Sequence, residues 1–171
     1  MRALAAVPLL LAGCVQVFEL EDPVTAEDNE PPEGSGSGSS NPTTPPACAG
    51  TIVGATCYER GTMKATWTTA RDSCAANGGM LAKMDSNPVA TALALLVSLG
   101  EEVWLGASVE LPGAPYRWVD GSEVTLFAWL PSQPDGSGFD HCIALYNAGA
   151  IGWDDLFCNE ELAFICQRTL Q

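Results

Sequence analysis

Among the 171 residues of this chain, acidic and amide oxygens are the groups best placed to do chemistry, and they gather in two short runs. Gln133-Pro134-Asp135-Gly136-Ser137-Gly138-Phe139-Asp140 concentrates side-chain oxygens, and Asp154-Asp155 adds two carboxylates. Calcium takes roughly six to eight hard oxygen ligands, which flexible loops supply well, so the two runs form a candidate ion site. Ordinary structure is the other reading: QPDGSG suits a turn, and Asp154-Asp155 after Trp153 suits a turn cap. The only histidine is His141, which disfavours His-based triads and His-rich zinc sites. No nucleophile motif or Gly-rich phosphate loop occurs, and carboxylates packed around an ion are too charged to include a neutral general acid. The chemistry indicated is binding, and the chain is not expected to be an enzyme.

The net charge of −14 argues against nucleic acid as a partner and against a basic membrane-docking surface. The acid is uneven: Glu19, Glu21, Asp22, Glu27, Asp28, Glu30 and Glu33 crowd one stretch, so part of the charge belongs to a solvated linker. Seven cysteines divide into Cys14, alone near the start, and Cys48, Cys57, Cys74, Cys142, Cys158 and Cys166. An even set with no CxxC pair predicts three disulfides in an oxidising compartment, with connectivity that arithmetic leaves open.

Residues 1–13 carry one positive charge at Arg2, then an apolar run ending in small residues, the pattern of a signal peptide. The run is shorter than the ~20 residues that cross a bilayer. Leu11-Ala12-Gly13-Cys14 resembles the bacterial lipobox, which implies cleavage before Cys14 and lipidation of its sulfur. Val15 in place of an aspartate implies, by the same resemblance, sorting to the outer membrane, facing either the cell surface or the periplasm. More than one acyl chain on Cys14 would anchor the protein firmly. Residues 14–46 are read as the lipidated N-terminus and a linker, and from Glu19 to Pro46 no hydrophobic periodicity survives: an acidic stretch, Pro31-Pro32, a GSGSGSS run and Thr43-Thr44-Pro45-Pro46. Such composition buries too little apolar area to offset chain entropy and predicts a disordered spacer.

Packing patterns begin only in the segment 47–171, which is large enough for one core supplemented by disulfides. Thr66 to Asn77 places Trp67, Ala70 and Cys74 on one helical face, with Gly78-Gly79 as the stop. Asn87 as N-cap and Pro88 at the first helical position open a second helix, predicted to run through Leu99 and end at Gly100. Beyond it, residues 103–105, 116–119, 142–146 and 163–166 are short apolar or aromatic runs separated by Gly, Pro, Asp and Asn. Two helices followed by several strands predict an α+β domain. Trp104, Trp118 and Trp153 sit inside strand-like runs and are read as core, not as ligand platforms.

Trp67, Ala70 and Cys74, with Gly79 and Leu81, resemble the first-helix pattern of C-type-lectin-like domains, and Trp104-Leu105-Gly106 resembles that family's central WIGL strand. Gln133-Pro134-Asp135, Cys142, Trp153-Asp154-Asp155, Cys158 and Cys166 follow in the family's order. The resemblance covers Cys48 to Gln167. It implies the family's fold: two helices packed on short antiparallel sheets, a long loop region and three disulfides. The implied pairings are Cys74–Cys166, Cys142–Cys158 and Cys48–Cys57, the last closing the N-terminal hairpin of long-form members. A Cys142–Cys158 bridge would draw both acidic runs to one edge of the domain.

The resemblance further implies that Gln133, Asp135, Asp140, Asp154 and Asp155 ligate one calcium ion, with Pro134 in a cis peptide. Gln133, Asp135, Asp140 and Asp154 would also hold the sugar. QPD is the triplet associated with galactose-type ligands. Asp140 departs from the usual glutamate, and Asp154 departs from the usual asparagine, leaving Gln133 as the only amide donor. No acidic match for a second ion occurs around Ser108-Val109. The expected function is calcium-dependent binding of a glycan or glycoprotein by a surface lipoprotein held on the membrane through its lipid. The alternative is a calcium-independent, protein-binding adhesin or receptor on the same fold.

Overall fold

The computed structural model describes residues 47–111, 113–136 and 141–171. In chain order these form β1 (Thr51–Val53), β2 (Thr56–Arg60), α1 (Trp67–Ala76), β3 (Met80–Leu81), α2 (Asn87–Ala94), β4 (Glu102–Val109), β5 (Arg117–Trp118), β6 (His141–Asn147), β7 (Ile151–Phe157) and β8 (Ala163–Thr169). The strands join in one sheet, order β1-β2-β8-β4-β6-β7, with β3 on β8 and β5 on β4. Its pairs are antiparallel, as the resemblance implies, with one exception that makes the sheet mixed. β4 and β8 run parallel, Val103 opposite Ala163 and Trp104 opposite Phe164. The chain's last strand thereby enters between β2 and β4.

Strand alternation explains how both faces of β4 and β6 are buried. Val103, Leu105 and Ala107 of β4, with Ile143 and Leu145 of β6, face one apolar cluster, which α2 covers with Val89 and Leu93. Trp104, Cys142 and Ala144 face the other, which α1 covers with Trp67, Ala70 and Cys74. A strand buried on both faces reads in sequence as a continuous apolar run. The two indoles on the α1 side are also hydrogen-bonded: Trp67 Nε1 donates to the Leu105 carbonyl at 2.7 Å and Trp104 Nε1 to the Ala65 carbonyl at 2.9 Å. Trp104, Trp118 and Trp153 are all buried, as expected of core residues.

α1 begins where the Thr66 side chain accepts from the Thr69 amide and ends where Gly78, at φ 73°, reverses the chain. The Gly78 and Gly79 amides then close back on the Ala75 and Cys74 carbonyls, a cap that needs the left-handed turn. α2 differs from expectation at both ends. Ser86, not Asn87, is its N-cap, and it stops at Ala94, short of Leu99. Past its end the Leu95 and Leu96 amides bond the Ala92 and Leu93 carbonyls, three residues back, which tightens the last turn, and the following segment is held by Arg60 Nη1 on the Leu96 carbonyl and Asn147 Nδ2 on the Val97 carbonyl. Leu95 and Leu99 are left largely exposed, so a longer helix would bury little more on that side.

The three expected disulfides are present: Cys48–Cys57, Cys74–Cys166 and Cys142–Cys158. Between β5 and β6 the described residues pair only through isolated bridges, Arg117 with Glu123 and Trp129 with Trp153. Cys14 and the rest of residues 1–46 lie outside the described residues, as does Asp140.

Candidate functional site

β7 carries Asp154 and Asp155 opposite Ala144 and Ile143 of β6, and the Cys142–Cys158 bridge closes the end of that hairpin. The long loop is laid along β7 by two backbone bonds, Trp153 N to the Ala128 carbonyl and Leu130 N to the Trp153 carbonyl. That placement brings the next residues, Gln133 to Gly136, to Asp155. The Gln133–Pro134 peptide is cis.

Asp155 is the hub. Its side chain is 1% exposed, and a buried carboxylate must find donors. Oδ1 accepts from the Asp135 amide at 2.9 Å; Oδ2 accepts from the Gly136 amide at 3.2 Å and from the Tyr116 hydroxyl at 3.3 Å. His141 Nδ1 stands 3.3 Å from the same Oδ2. Gln133 Oε1 also accepts from the Asp135 amide, at 2.9 Å, so the loop is bonded both to itself and to β7. A side chain at position 136 would collide with His141 and Asp155, which is why a glycine closes the approach.

Carboxylate oxygens of Asp135, Asp154 and Asp155 all lie within 4.8 Å of one another. Asp154 is half-buried, and its carboxyl is pushed above the usual range, first by desolvation and then by the charges of Asp135 and Asp155. The Tyr116 phenol is likewise pushed up, by burial and by the Asp155 carboxylate it faces. Its ring stands 5.3 Å from Trp129, which meets Trp153 edge-on at 5.6 Å, so the hydroxyl is aimed by a stack of aromatics.

The structure thus brings Gln133, Asp135, Asp154 and Asp155 together. Tyr116 and His141 are partners of the site that the motifs do not reveal, since neither belongs to the QPD or WDD run. The donor set fits calcium. It offers hard oxygens, its carboxylates repel one another, and Asp155 Oδ1 and Gln133 Oε1 each keep a lone pair beyond the hydrogen bond they accept. Calcium would be held by Asp135, Asp154, Asp155 and the Gln133 amide oxygen, and it would supply positive charge that the cluster lacks. Another grouping of ligand-type residues, Cys48, Cys57 and Glu59, includes a disulfide and has no thiolate to offer.

The family model described as "Lectin C-type domain" matches residues 63–168. The chain is similar to "Salivary C-type lectin 2" of Aedes albopictus, 32% identical over 117 residues, 61% of this chain and 78% of that protein. Among solved structures, a calcium-independent type II antifreeze protein is 30% identical with a TM-score of 0.65, covering 72% of this chain and 93% of that one. The mouse scavenger receptor C-type lectin carbohydrate-recognition domain is 25% identical with a TM-score of 0.64, covering 71% and 94%. With the helix faces, the sheet order, the bridges and the acidic edge all in agreement, the chain belongs to the C-type lectin domain family.

Proposed function

We propose that this chain binds carbohydrate in a calcium-dependent manner through Gln133, Asp135, Asp154 and Asp155, with Asp140 completing the set. The family binds carbohydrate; the observation that carries the finer reading is the meeting of three carboxylates with no Lys or Arg paired to them among the described residues. A calcium ion would join the site to a sugar through vicinal hydroxyls, which donate to carboxylates and accept from the Gln133 amide. QPD favours a galactose-type glycan. The test is a glycan array with calcium and with chelator: signal that vanishes with chelator supports the reading, and a silent array overturns it.

One observation favours a second reading. Every oxygen of Asp155 already has a protein donor, so the edge closes without an ion. The calcium-independent antifreeze protein among the similar structures fits that state. On this reading the fold is a metal-free, protein-binding adhesin or receptor module, and calorimetry shows no heat of calcium binding.

We also propose that residues 1–13 are removed, that Cys14 is lipidated, that 14–46 form a tether, and that the domain of 47–171 is displayed from a bacterial outer membrane. The lipobox-like Leu11-Ala12-Gly13-Cys14 supports this. Cys14→Ser should release the protein from the detergent phase; a variant that still partitions there overturns the anchor.

A further inference from the structure

A second concave region lies apart from the acidic edge. A groove of about 1090 Å³ runs between the first turn of α1, the ends of β4 and β7, and the approach to β5, and none of Gln133, Asp135, Asp154 or Asp155 lines it. Its size is near the upper end of small-molecule sites. Its charge runs against the rest of the molecule: Arg71 and Arg117 line it against one carboxylate, Glu110, in a chain with 21 acidic and 7 basic residues.

The two arginines are not equivalent. Arg71 is engaged, paired with Asp72 at 2.8 Å and lying 5.8 Å over the Trp67 ring. Arg117 is exposed and donates Nη1 to the Gly121 carbonyl at 3.1 Å; among the described residues it makes no ion pair, although Glu123 faces it across a backbone bridge. A guanidinium bonded this way keeps N–H donors to present as a fork to an anion. In the same recess is one of the molecule's exposed large apolar side chains, Leu111 at 64%. A cation without an anionic partner and uncovered apolar surface in one recess call for a ligand that has both an anionic group and an apolar body.

We infer that this groove binds a small organic anion with an aromatic or aliphatic body, its carboxylate or sulfonate on Arg117 and its body against Leu111. The site is separate from the proposed calcium site and does not depend on it. The probe is 8-anilinonaphthalene-1-sulfonate, titrated by fluorescence into the full chain, with N-phenyl-1-naphthylamine as its uncharged counterpart. Saturable binding of the sulfonate is expected. Arg117→Glu should weaken it by about 10-fold or more, the loss of a charge-assisted hydrogen bond, while Arg117→Lys holds most of it. The uncharged probe should not distinguish Arg117 from Glu, and calcium or chelator should change neither titration. Leu111→Ser, at an exposed position, should weaken both probes and gives an independent arm if Arg117→Glu lowers the melting temperature. Sulfonate binding that is unsaturable in the folded chain, or unchanged in Arg117→Glu, overturns the inference. So does binding that follows self-association in sedimentation, which assigns the groove to a second copy, or that follows calcium, which assigns the probe to the acidic edge.

Discussion

Two groups of carboxylates in this domain are held in opposite ways. Glu101 lies in a two-pronged bond with Arg60, Nη1 to Oε2 at 2.8 Å and Nη2 to Oε1 at 2.5 Å, and this holds its carboxyl down to about 2. Asp120 takes Lys83 Nζ at 2.6 Å and is also held to about 2. Each pair ties elements far apart in sequence, Arg60 at the end of β2 to the entry of β4, and Lys83 after β3 to the turn after β5. At β7 the pattern inverts: Asp135, Asp154 and Asp155 face one another, and Asp154 is pushed up, not down. The frame carboxylates are paired with cations, and among the described residues no Lys or Arg is paired with the three carboxylates of the edge. Uncompensated charge of this kind is where binding is to be sought.

The largest effect should come from cutting the frame. Cys74–Cys166 spans 92 residues and joins α1 to β8. Replacing both cysteines by alanine should cost about 3–5 kcal/mol by urea unfolding. The bonds to Asp155 join residues 19 to 39 positions apart and need the sheet that carries it, so calcium response and fold should be lost together. Calcium comes next. If the edge binds it, a concentration ~100 times the dissociation constant should stabilise by about 2.7 kcal/mol, several degrees in a melting curve. No shift at millimolar calcium would place this chain with the calcium-independent reading.

Removing one frame carboxylate should matter less. Glu101→Gln should cost about 1–2 kcal/mol, allowing for solvent screening of a pair whose side chains are 34% and 26% exposed. The pH dependence has a definite sign. A carboxyl held at about 2 against an ordinary 4.5 contributes stability that is full above pH 4.5 and is lost as pH falls through the folded value. The melting temperature of Glu101→Gln should therefore converge on wild type as pH approaches 2. A gap unchanged from neutral to acid pH would show that the ion pair is not its source.

The frame was largely legible in the sequence and the edge only in outline. Trp67, Ala70 and Cys74 announce α1 because a helix face is local information. The end of α2 was not legible, because the segment after it is held by Arg60 and Asn147, on the Leu96 and Val97 carbonyls, from 36 and 50 positions away. β7 was legible only at Trp153, which sits in a strand-like run: Asp154 and Asp155 resemble a turn until β6 supplies the ladder. At the edge, Gln133, Asp135, Asp154 and Asp155 could be gathered from their motifs. Tyr116 could not, because its contact with Asp155 crosses 39 positions and depends on how the loop packs on Trp129. His141 stood out only as the single histidine. Its closeness to Asp155 follows from the β6–β7 register, which no composition encodes.

The smallest effect is the one that most sharpens the contrast between frame and edge. Asp154 is a carboxylate whose folded value is raised by desolvation and by Asp135 and Asp155, so its ionised form works against the fold. The sign is the reverse of Glu101: its contribution turns unfavourable as pH rises above the unfolded value near 3.8 and through the raised folded one. Without calcium, Asp154→Asn should stabilise the domain at neutral pH by less than about 1 kcal/mol, the scale of a half-exposed like-charge contact. With calcium the ranking should cross, because the variant gives up a charge that attracts the ion, and wild type should show the larger calcium-induced shift. The new amide supplies a donor to a sugar hydroxyl that the wild type lacks, so glycan binding at saturating calcium should improve. Melting curves of both proteins with calcium and with chelator, followed by one glycan titration, test all three signs. If Asp154→Asn destabilises the calcium-free domain as Glu101→Gln does, the edge is a piece of frame like any other.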